Sequence, residues 1–169
     1  MLMEKCTDSY HLELQWIGNA LLGSILIILG SFVRIPLYSV PFTLQTLAIF
    51  VLGLTQSPKQ ALASTVCYLL WGSMGLPVFG GTVNLFWMTG KSGGYLVAFP
   101  VAAFLIAWLR DKLPPLMTLI CGQAVIFTLG WIWLAYYFGP KIAFLQGVVI
   151  FIPSAGLKMI LALTFRRRQ

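Results

Sequence analysis

The chain has 169 residues, of which 59% are hydrophobic and only 9% are charged, and its mean hydropathy is +0.90. Soluble domains carry about 25% charged residues, so this composition excludes an ordinary soluble domain and indicates an all-α integral membrane protein, with residues 1–169 in a single domain. The net charge of +7 does not indicate nucleic-acid binding, because the basic residues lie at the ends of apolar stretches.

Six apolar stretches predict a compact bundle of six transmembrane helices, because one span needs about 20 apolar residues. The helices are predicted approximately at residues 16–33, 42–54, 60–74, 95–109, 116–138 and 142–165. We interpret the first as a membrane helix, since its uncharged run from Leu14 to Val33 is longer than the roughly 7–15 apolar residues of a signal peptide. The sixth is expected to be interrupted near Pro153 and Gly156, because proline disturbs a helix.

The basic residues divide unevenly between the two sides of the membrane. With the N-terminus inside, seven lie on the inner side: Lys5, Lys59, Arg110, Lys112, Arg166, Arg167 and Arg168. Three lie on the outer side: Arg34, Lys91 and Lys141. Because cytoplasmic loops are enriched in Lys and Arg, this distribution predicts cytoplasmic termini and a multi-pass protein of the inner (plasma) membrane. The three C-terminal arginines are expected to contact anionic membrane lipid.

The outer loop between the third and fourth helices, from Gly75 to Gly94, is long for a compact bundle. Loops of this length are usually functional or disordered. This one contains Phe79, Phe86 and Trp87, which do not suit a freely solvated segment. We therefore expect it to fold over a cavity.

The charged residues argue against an enzyme and against an ion-driven transporter. Four residues are acidic, and none lies in a predicted span: Glu4, Asp8, Glu13 and Asp111. The single histidine, His11, precedes the first span. Proton and ion sites in membranes generally use intramembrane carboxylates or histidine, and the three cysteines show no metal or disulfide spacing. We predict no catalytic residues, no metal and no cofactor.

The stretch Gly90-Lys91-Ser92 resembles the end of a phosphate-binding P-loop. However, Leu85 stands where that motif requires its first glycine, and no strand precedes the stretch. The chain is therefore not expected to bind ATP itself.

Lys158 is the strongest candidate for ligand binding. It lies within the sixth predicted helix, eight residues before Arg166, and a charge at that depth is costly unless it is paired or hydrated. It either faces a wet cavity, where a ligand oxygen contacts it, or extends to the membrane interface.

Six further polar or small residues are candidates, and most of them have two interpretations. Gln45 and Gln123 are candidates for a ligand site or for a hydrogen bond between helices, and Asn84 is a third amide. Tyr95 belongs to a ligand site or to the interfacial aromatic belt. Ala20 and Ser24 form a small-xxx-small pair, which serves internal packing or contact with a partner subunit.

Four stretches resemble the BioY family, the biotin-binding S components of energy-coupling factor (ECF) transporters. They are Ile35-Pro36-Leu37 with Val40-Pro41-Phe42-Thr43-Leu44-Gln45-Thr46-Leu47, Gly72-Ser73-Met74-Gly75-Leu76-Pro77-Val78-Phe79, Thr89-Gly90-Lys91-Ser92-Gly93-Gly94-Tyr95-Leu96 with Phe99-Pro100, and Phe151-Ile152-Pro153-Ser154-Ala155-Gly156-Leu157-Lys158. The resemblance implies a six-helix membrane protein that captures biotin on the outer side. It also implies an ECF coupling module, a pair of ATPases with a transmembrane coupling subunit, as the partner that supplies energy.

The family's binding residues would fall on Tyr95 and Lys158, and Phe79, Phe86 and Trp87 are available for the apolar half of biotin. The chain departs from the family at Ala155, where an Asp is usual, and at Gly80-Gly81, where a polar residue is usual. Asn84 or Gln45 is expected to substitute, and Lys158 would contact either the ureido carbonyl or the carboxylate of biotin.

Two other functions remain open from the sequence. In one, the chain would be an S component for another small vitamin or biotin-like compound, and in the other, a facilitator that acts without an ATPase module. A membrane enzyme acting on lipid would need a nucleophile, base or metal set, which the sequence does not provide.

Overall fold

A computed structural model describes the backbone of residues 2–36 and 40–165, and the side chains of these ranges from residue 14 onward. Expectations that concern Lys5, His11 and the arginines 166–168 therefore lie outside the described side chains.

Seven α-helices and one short strand pair make up the described chain. The helices are α1 (Leu2–Phe32), α2 (Gln45–Thr55), α3 (Pro58–Ser73), α4 (Gly93–Leu109), α5 (Pro115–Phe138), α6 (Pro140–Gly147) and α7 (Ile152–Thr164). Strands β1 (Arg34–Ile35) and β2 (Phe42–Thr43) pair antiparallel. Short 3₁₀ helices cover Trp87–Thr89 and Val149–Phe151. Since the second of these joins α6 to α7, the pair forms one broken segment, and the bundle has the six helical segments that the sequence predicts.

Length and surface both identify a membrane protein. Three segments are long and apolar enough to cross a membrane: Leu14–Phe32, Pro115–Phe138 and Pro140–Thr164. Their outward faces carry large apolar side chains, such as Leu22 and Ile160, that are more than 60% exposed. By contrast, α2 has 11 residues and rises only about 16 Å, roughly half the thickness of the hydrocarbon core.

The helix boundaries differ from the sequence prediction at three places. Helix α1 begins at Leu2 and not at residue 16, because the apolar stretch marks the membrane and no proline or glycine stops the helix before it. Helix α2 begins at Gln45, since Phe42 and Thr43 pair with β1. The break in the sixth segment lies at Val149–Phe151. It precedes the predicted position because Pro153 occupies the first turn of α7, where proline is well tolerated.

Helix α4 is the centre of the bundle and packs against α2, α3 and α5. Its small residues Ala98, Ala102 and Ala103 are fully buried, which lets the neighbouring helices approach closely. At its inner end, the Arg110 guanidinium donates to the carbonyls of Leu54 (3.3 Å) and Gln56 (2.7 Å). These bonds satisfy carbonyls at the end of α2 that lack helical partners.

Candidate ligand-binding site

Two adjoining cavities lie among the described residues, and between them they include most of the polar candidates. The smaller has a volume of about 80 Å³ and the larger about 240 Å³. Their common wall contains Pro41, Thr43, Gln45, Ser92 and Leu96. A ligand with two chemically different ends suits these two adjoining cavities.

The smaller cavity is enclosed mainly by aromatic and aliphatic side chains from the segment before α2 and from α4, α5 and α7. Its apolar wall includes Val40, Phe99, Ile126, Phe127, Phe151 and Ala155. Its polar side chains include Thr46, Tyr95, Gln123, Ser154 and Lys158. Apolar walls with a few placed polar groups are typical of sites for small molecules.

Lys158 is buried against the segment before α2, with 5% of its surface exposed. Its ammonium donates to the carbonyl of Thr43 (2.7 Å) and the hydroxyl of Thr46 (2.8 Å), and it lies 4.2 Å from the centre of the Phe42 ring. Such burial does not fit a lysine that extends to the membrane interface. Both acceptors are neutral, and the one ion pair among the described side chains joins Arg110 to Asp111. The cation therefore has hydrogen bonds but no described counter-charge.

The strand pair and the helix break place this lysine. Pairing of β1 with β2 holds the Thr43 backbone beside the cavity, and Thr46 follows in the first turn of α2. On the other side, the break at Val149–Phe151 ends the preceding helix, and α7 then runs past the cavity with Lys158 on its buried face. The two acceptors and the donor thus come from opposite ends of the chain.

Tyr95 lies in the first turn of α4 and is 8% exposed, which does not fit a belt residue at the interface. Its ring passes so close to Gly130 and Gly147 that a β-carbon at either position would collide with it. Its hydroxyl donates to the carbonyl of Gly147 at 2.9 Å. Tyr95 therefore forms a fixed wall of the smaller cavity.

The two buried glutamines differ in their hydrogen bonds. Gln45, in the common wall, donates to the hydroxyl of Tyr68 (2.5 Å) and accepts from Thr43 (3.1 Å). Gln123 is equally buried, but no described group donates to its Oε1. The helix-to-helix hydrogen bond that the sequence left open for Gln123 therefore has no described donor.

The long loop after α3 lines the larger cavity, as its apolar content predicts. The Phe79 ring packs against Tyr68 (5.5 Å between centroids) and Trp87 (5.7 Å), and Trp87 donates to the hydroxyl of Ser73 at 3.0 Å. Asn84 is exposed at the rim of this cavity.

The expectation that Phe86 serves the apolar part of the site is wrong. Its side chain is 77% exposed and lines neither cavity. Phe86 immediately precedes the 3₁₀ turn whose first residue, Trp87, points inward. The Phe86 side chain therefore points away from both cavities.

Two basic residues of the larger cavity were missing from the predicted site. Arg34, on β1, and Lys91, before α4, both line it. From the sequence, both indicate the orientation of the chain in the membrane, and Lys91 also belongs to the P-loop-like stretch, but neither is predicted to bind the ligand. The available signal was their position, since Arg34 directly precedes the stretch at 35–47 and Lys91 lies within the stretch at 89–96, two of the four that carry the resemblance.

Ala20 and Ser24 are buried inside the bundle, at 3% and 0% exposure. The indole of Trp71, on α3, donates to the Ser24 hydroxyl at 3.4 Å. These contacts give the pair a packing role between α1 and α3, and a direct contact with a partner subunit would require this face of α1 to open.

Comparison with known proteins adds a consistent set of similarities. The family model described as BioY family matches residues 6–168. A probable biotin transporter BioY of Pyrococcus horikoshii is 37% identical over 124 residues, which cover 73% of this chain and 76% of that protein. A probable biotin transporter BioY of Rickettsia prowazekii is 32% identical and covers 92% of this chain and 81% of that protein. The crystal structure of the S-component for biotin from an ECF-type ABC transporter superposes with a TM-score of 0.83 at 28% identity, covering 93% and 92% of the two chains.

Proposed function

Since the chain belongs to the BioY family, we propose that it is the membrane subunit that captures biotin for uptake, with an ECF coupling module supplying the energy. The observation that carries this proposal is the pair of adjoining cavities, one apolar with a buried lysine and the other lined by two cationic side chains. The protein is a multi-pass protein of the plasma membrane.

The two chemically different ends of biotin match the two cavities. Its fused bicyclic ring has an apolar sulfur-containing half and a ureido group with two N–H donors and one carbonyl. The ring would lie in the smaller cavity, where Phe99, Ile126 and Phe127 contact the apolar half. Burial of that surface is the main non-specific source of affinity.

The flexible tail of biotin, with its carboxylate, would extend into the larger cavity. Arg34 and Lys91 line that cavity, and a cation near an anionic ligand group both attracts and orients it. Arg34 suits this role because a guanidinium can bind a carboxylate through two hydrogen bonds. Lys91 also lies 4.9 Å from the Phe138 ring centre, so it would approach the ligand from the loop side.

In this orientation Lys158 donates to the ureido carbonyl and not to the carboxylate. Two neutral oxygens already fix the ammonium, at 2.7 and 2.8 Å, so one of its three hydrogens remains for a ligand oxygen. The two cations of the larger cavity are available for the carboxylate at the other end of the molecule.

We further propose that the chain has no catalytic activity and no ATP site of its own. A 3₁₀ helix (Trp87–Thr89), and not a strand, precedes the P-loop-like stretch at 90–92. Asp111 is the one carboxylate whose side chain is described, and it lies in the turn after α4 beside Arg110. Concentrative uptake would then depend on ATP hydrolysis by partner subunits.

Calorimetry on the purified protein in lipid nanodiscs tests the ligand. We expect saturable binding of biotin and much weaker binding of riboflavin and thiamine. Absence of biotin binding, or equal binding of another vitamin, would contradict the proposal.

Liposomes test the energy source. We expect accumulation of biotin only when the coupling module and internal ATP are both present. The matched control is the lone protein with an imposed pH step, for which accumulation would contradict the proposed dependence on ATP.

A further inference from the structure

The side chain of Gln123 lies on α5 among apolar neighbours and is 5% exposed. No described group donates a hydrogen bond to its Oε1. A buried amide oxygen that has lost its water is normally paired, because leaving it unpaired costs free energy. Gln123 lines the smaller cavity, while its Oε1 is covered in the ligand-free fold, so a donor on a molecule in that cavity would reach this oxygen after rotation of the amide.

Two other polar side chains of this wall, Gln45 and Ser154, are already engaged within the protein. The Gln45 amide donates to Tyr68 and accepts from Thr43. The Ser154 hydroxyl donates to a backbone carbonyl in the preceding turn at 2.8 Å. Gln123 thus differs from Gln45 and Ser154 in offering an acceptor that the described fold does not use.

Lys158 supplies the complementary half of the arrangement. Thr43 and Thr46 hold two of its hydrogens, which leaves a third donor. The same cavity therefore combines a positioned donor with a free amide acceptor. A cyclic urea matches this combination, since it carries a carbonyl flanked by N–H groups.

We infer that Gln123 determines ligand specificity by accepting a hydrogen bond from a ureido N–H, while Lys158 donates to the ureido carbonyl. This inference rests on the proposed function. It extends that function by assigning recognition of the N–H side of the ring to a neutral amide on α5. A methyl group on the contacted nitrogen removes the donor. The protein therefore distinguishes biotin from an analogue methylated at that nitrogen through this contact.

The experiment measures the affinities of three ligands for the full chain in nanodiscs. The ligands are biotin and two analogues, each methylated on one ureido nitrogen. The variants are Gln123→Leu, which removes the acceptor, and Gln123→Glu, which keeps one. Thr128→Val is the matched control, because Thr128 is an exposed polar residue of the same helix and lines neither cavity.

We expect Gln123→Leu to weaken biotin binding at least tenfold. We also expect the wild-type preference for biotin over one methylated analogue to fall by a similar factor in this variant. Changing the side chain and the ligand nitrogen separately and together forms a double-mutant cycle, which isolates the contact between them. The thermal midpoint of the free protein should not decrease, since the substitution removes an unpaired buried group. Thr128→Val should leave all three affinities unchanged.

Each other outcome contradicts the inference. If Gln123→Leu binds biotin as tightly as wild type, or loses affinity for all three ligands by one common factor, Gln123 does not accept from the ureido group. If the leucine variant does not fold, Gln123→Glu decides, and a loss of its preference for biotin over both analogues overturns the inference. These results leave the proposed function intact, whereas failure of wild type to bind biotin would overturn the function itself.

Discussion

Replacing Lys158 with methionine is expected to weaken biotin binding by about 10- to 150-fold. The proposed contact is a hydrogen bond from a charged donor, worth about 1.5–3 kcal/mol, and each 1.4 kcal/mol corresponds to about tenfold in affinity. Methionine has a similar length and volume, so the shape of the small cavity should change little. The loss would then report the missing donor and not a collapsed site.

Folding should tolerate this substitution. The wild-type ammonium is buried with two neutral partners, at Thr43 and Thr46, and no described counter-charge compensates for its lost hydration. Removing it relieves that desolvation but leaves the Thr43 carbonyl without this donor, which costs about 1–3 kcal/mol. The two effects have opposite signs, so we expect a small change in thermal midpoint.

Calorimetry and thermal unfolding in nanodiscs measure these two quantities on the same preparation. The control is Lys141→Met, the same substitution at an exposed lysine in the first turn of α6 that lines neither cavity. It should bind biotin like wild type. Wild-type affinity in Lys158→Met would refute the role of the lysine, and a large fall in midpoint would show that its function is mainly structural.

Other substitutions test separate parts of the structure. Arg34→Gln should weaken binding of biotin about tenfold but leave its methyl ester unaffected, and equal losses in competition binding would contradict a contact with the carboxylate. Gly130→Ala should lower stability by about 1–3 kcal/mol, because the new methyl collides with the Tyr95 ring; an unchanged unfolding midpoint would argue against this packing. Arg110→Met should destabilise the protein by about 1.5 kcal/mol through its lost bonds to α2, including that to Gln56, with biotin affinity retained in the folded fraction.

Apolar stretches in the sequence predict the helical segments because lipid requires helices with internally paired backbones. They predict helix ends less well, since a polar stretch can continue a helix beyond the membrane. The first fourteen residues of α1, from Leu2, illustrate this. The strand pairing of Phe42 and Thr43 is a long-range event, and the apolar pattern of the following helix conceals it.

The candidate site is only partly predictable for a related reason. A lysine within an apolar helix is visible in the sequence, and so is the prediction that it needs a partner. Its two partners, Thr43 and Thr46, are 115 and 112 residues away along the chain. Neither the sequence around Lys158 nor the composition indicates this pairing, so only the packing of α2 against α7 identifies the two partners.

Gln45 and Gln123 show what the fold adds to the chemistry of a residue. Both are amides in apolar helices, and their exposures of 6% and 5% are nearly equal, so neither residue type nor burial separates them. Their hydrogen bonds do, because the Gln45 amide is satisfied by Tyr68 and Thr43 while the Gln123 oxygen has no described donor. A satisfied amide holds the wall of a cavity in place, and an unsatisfied one favours a ligand that supplies the missing donor. In the proposed site the first amide therefore shapes the cavity, and the second would make the binding energy depend on which ligand enters it.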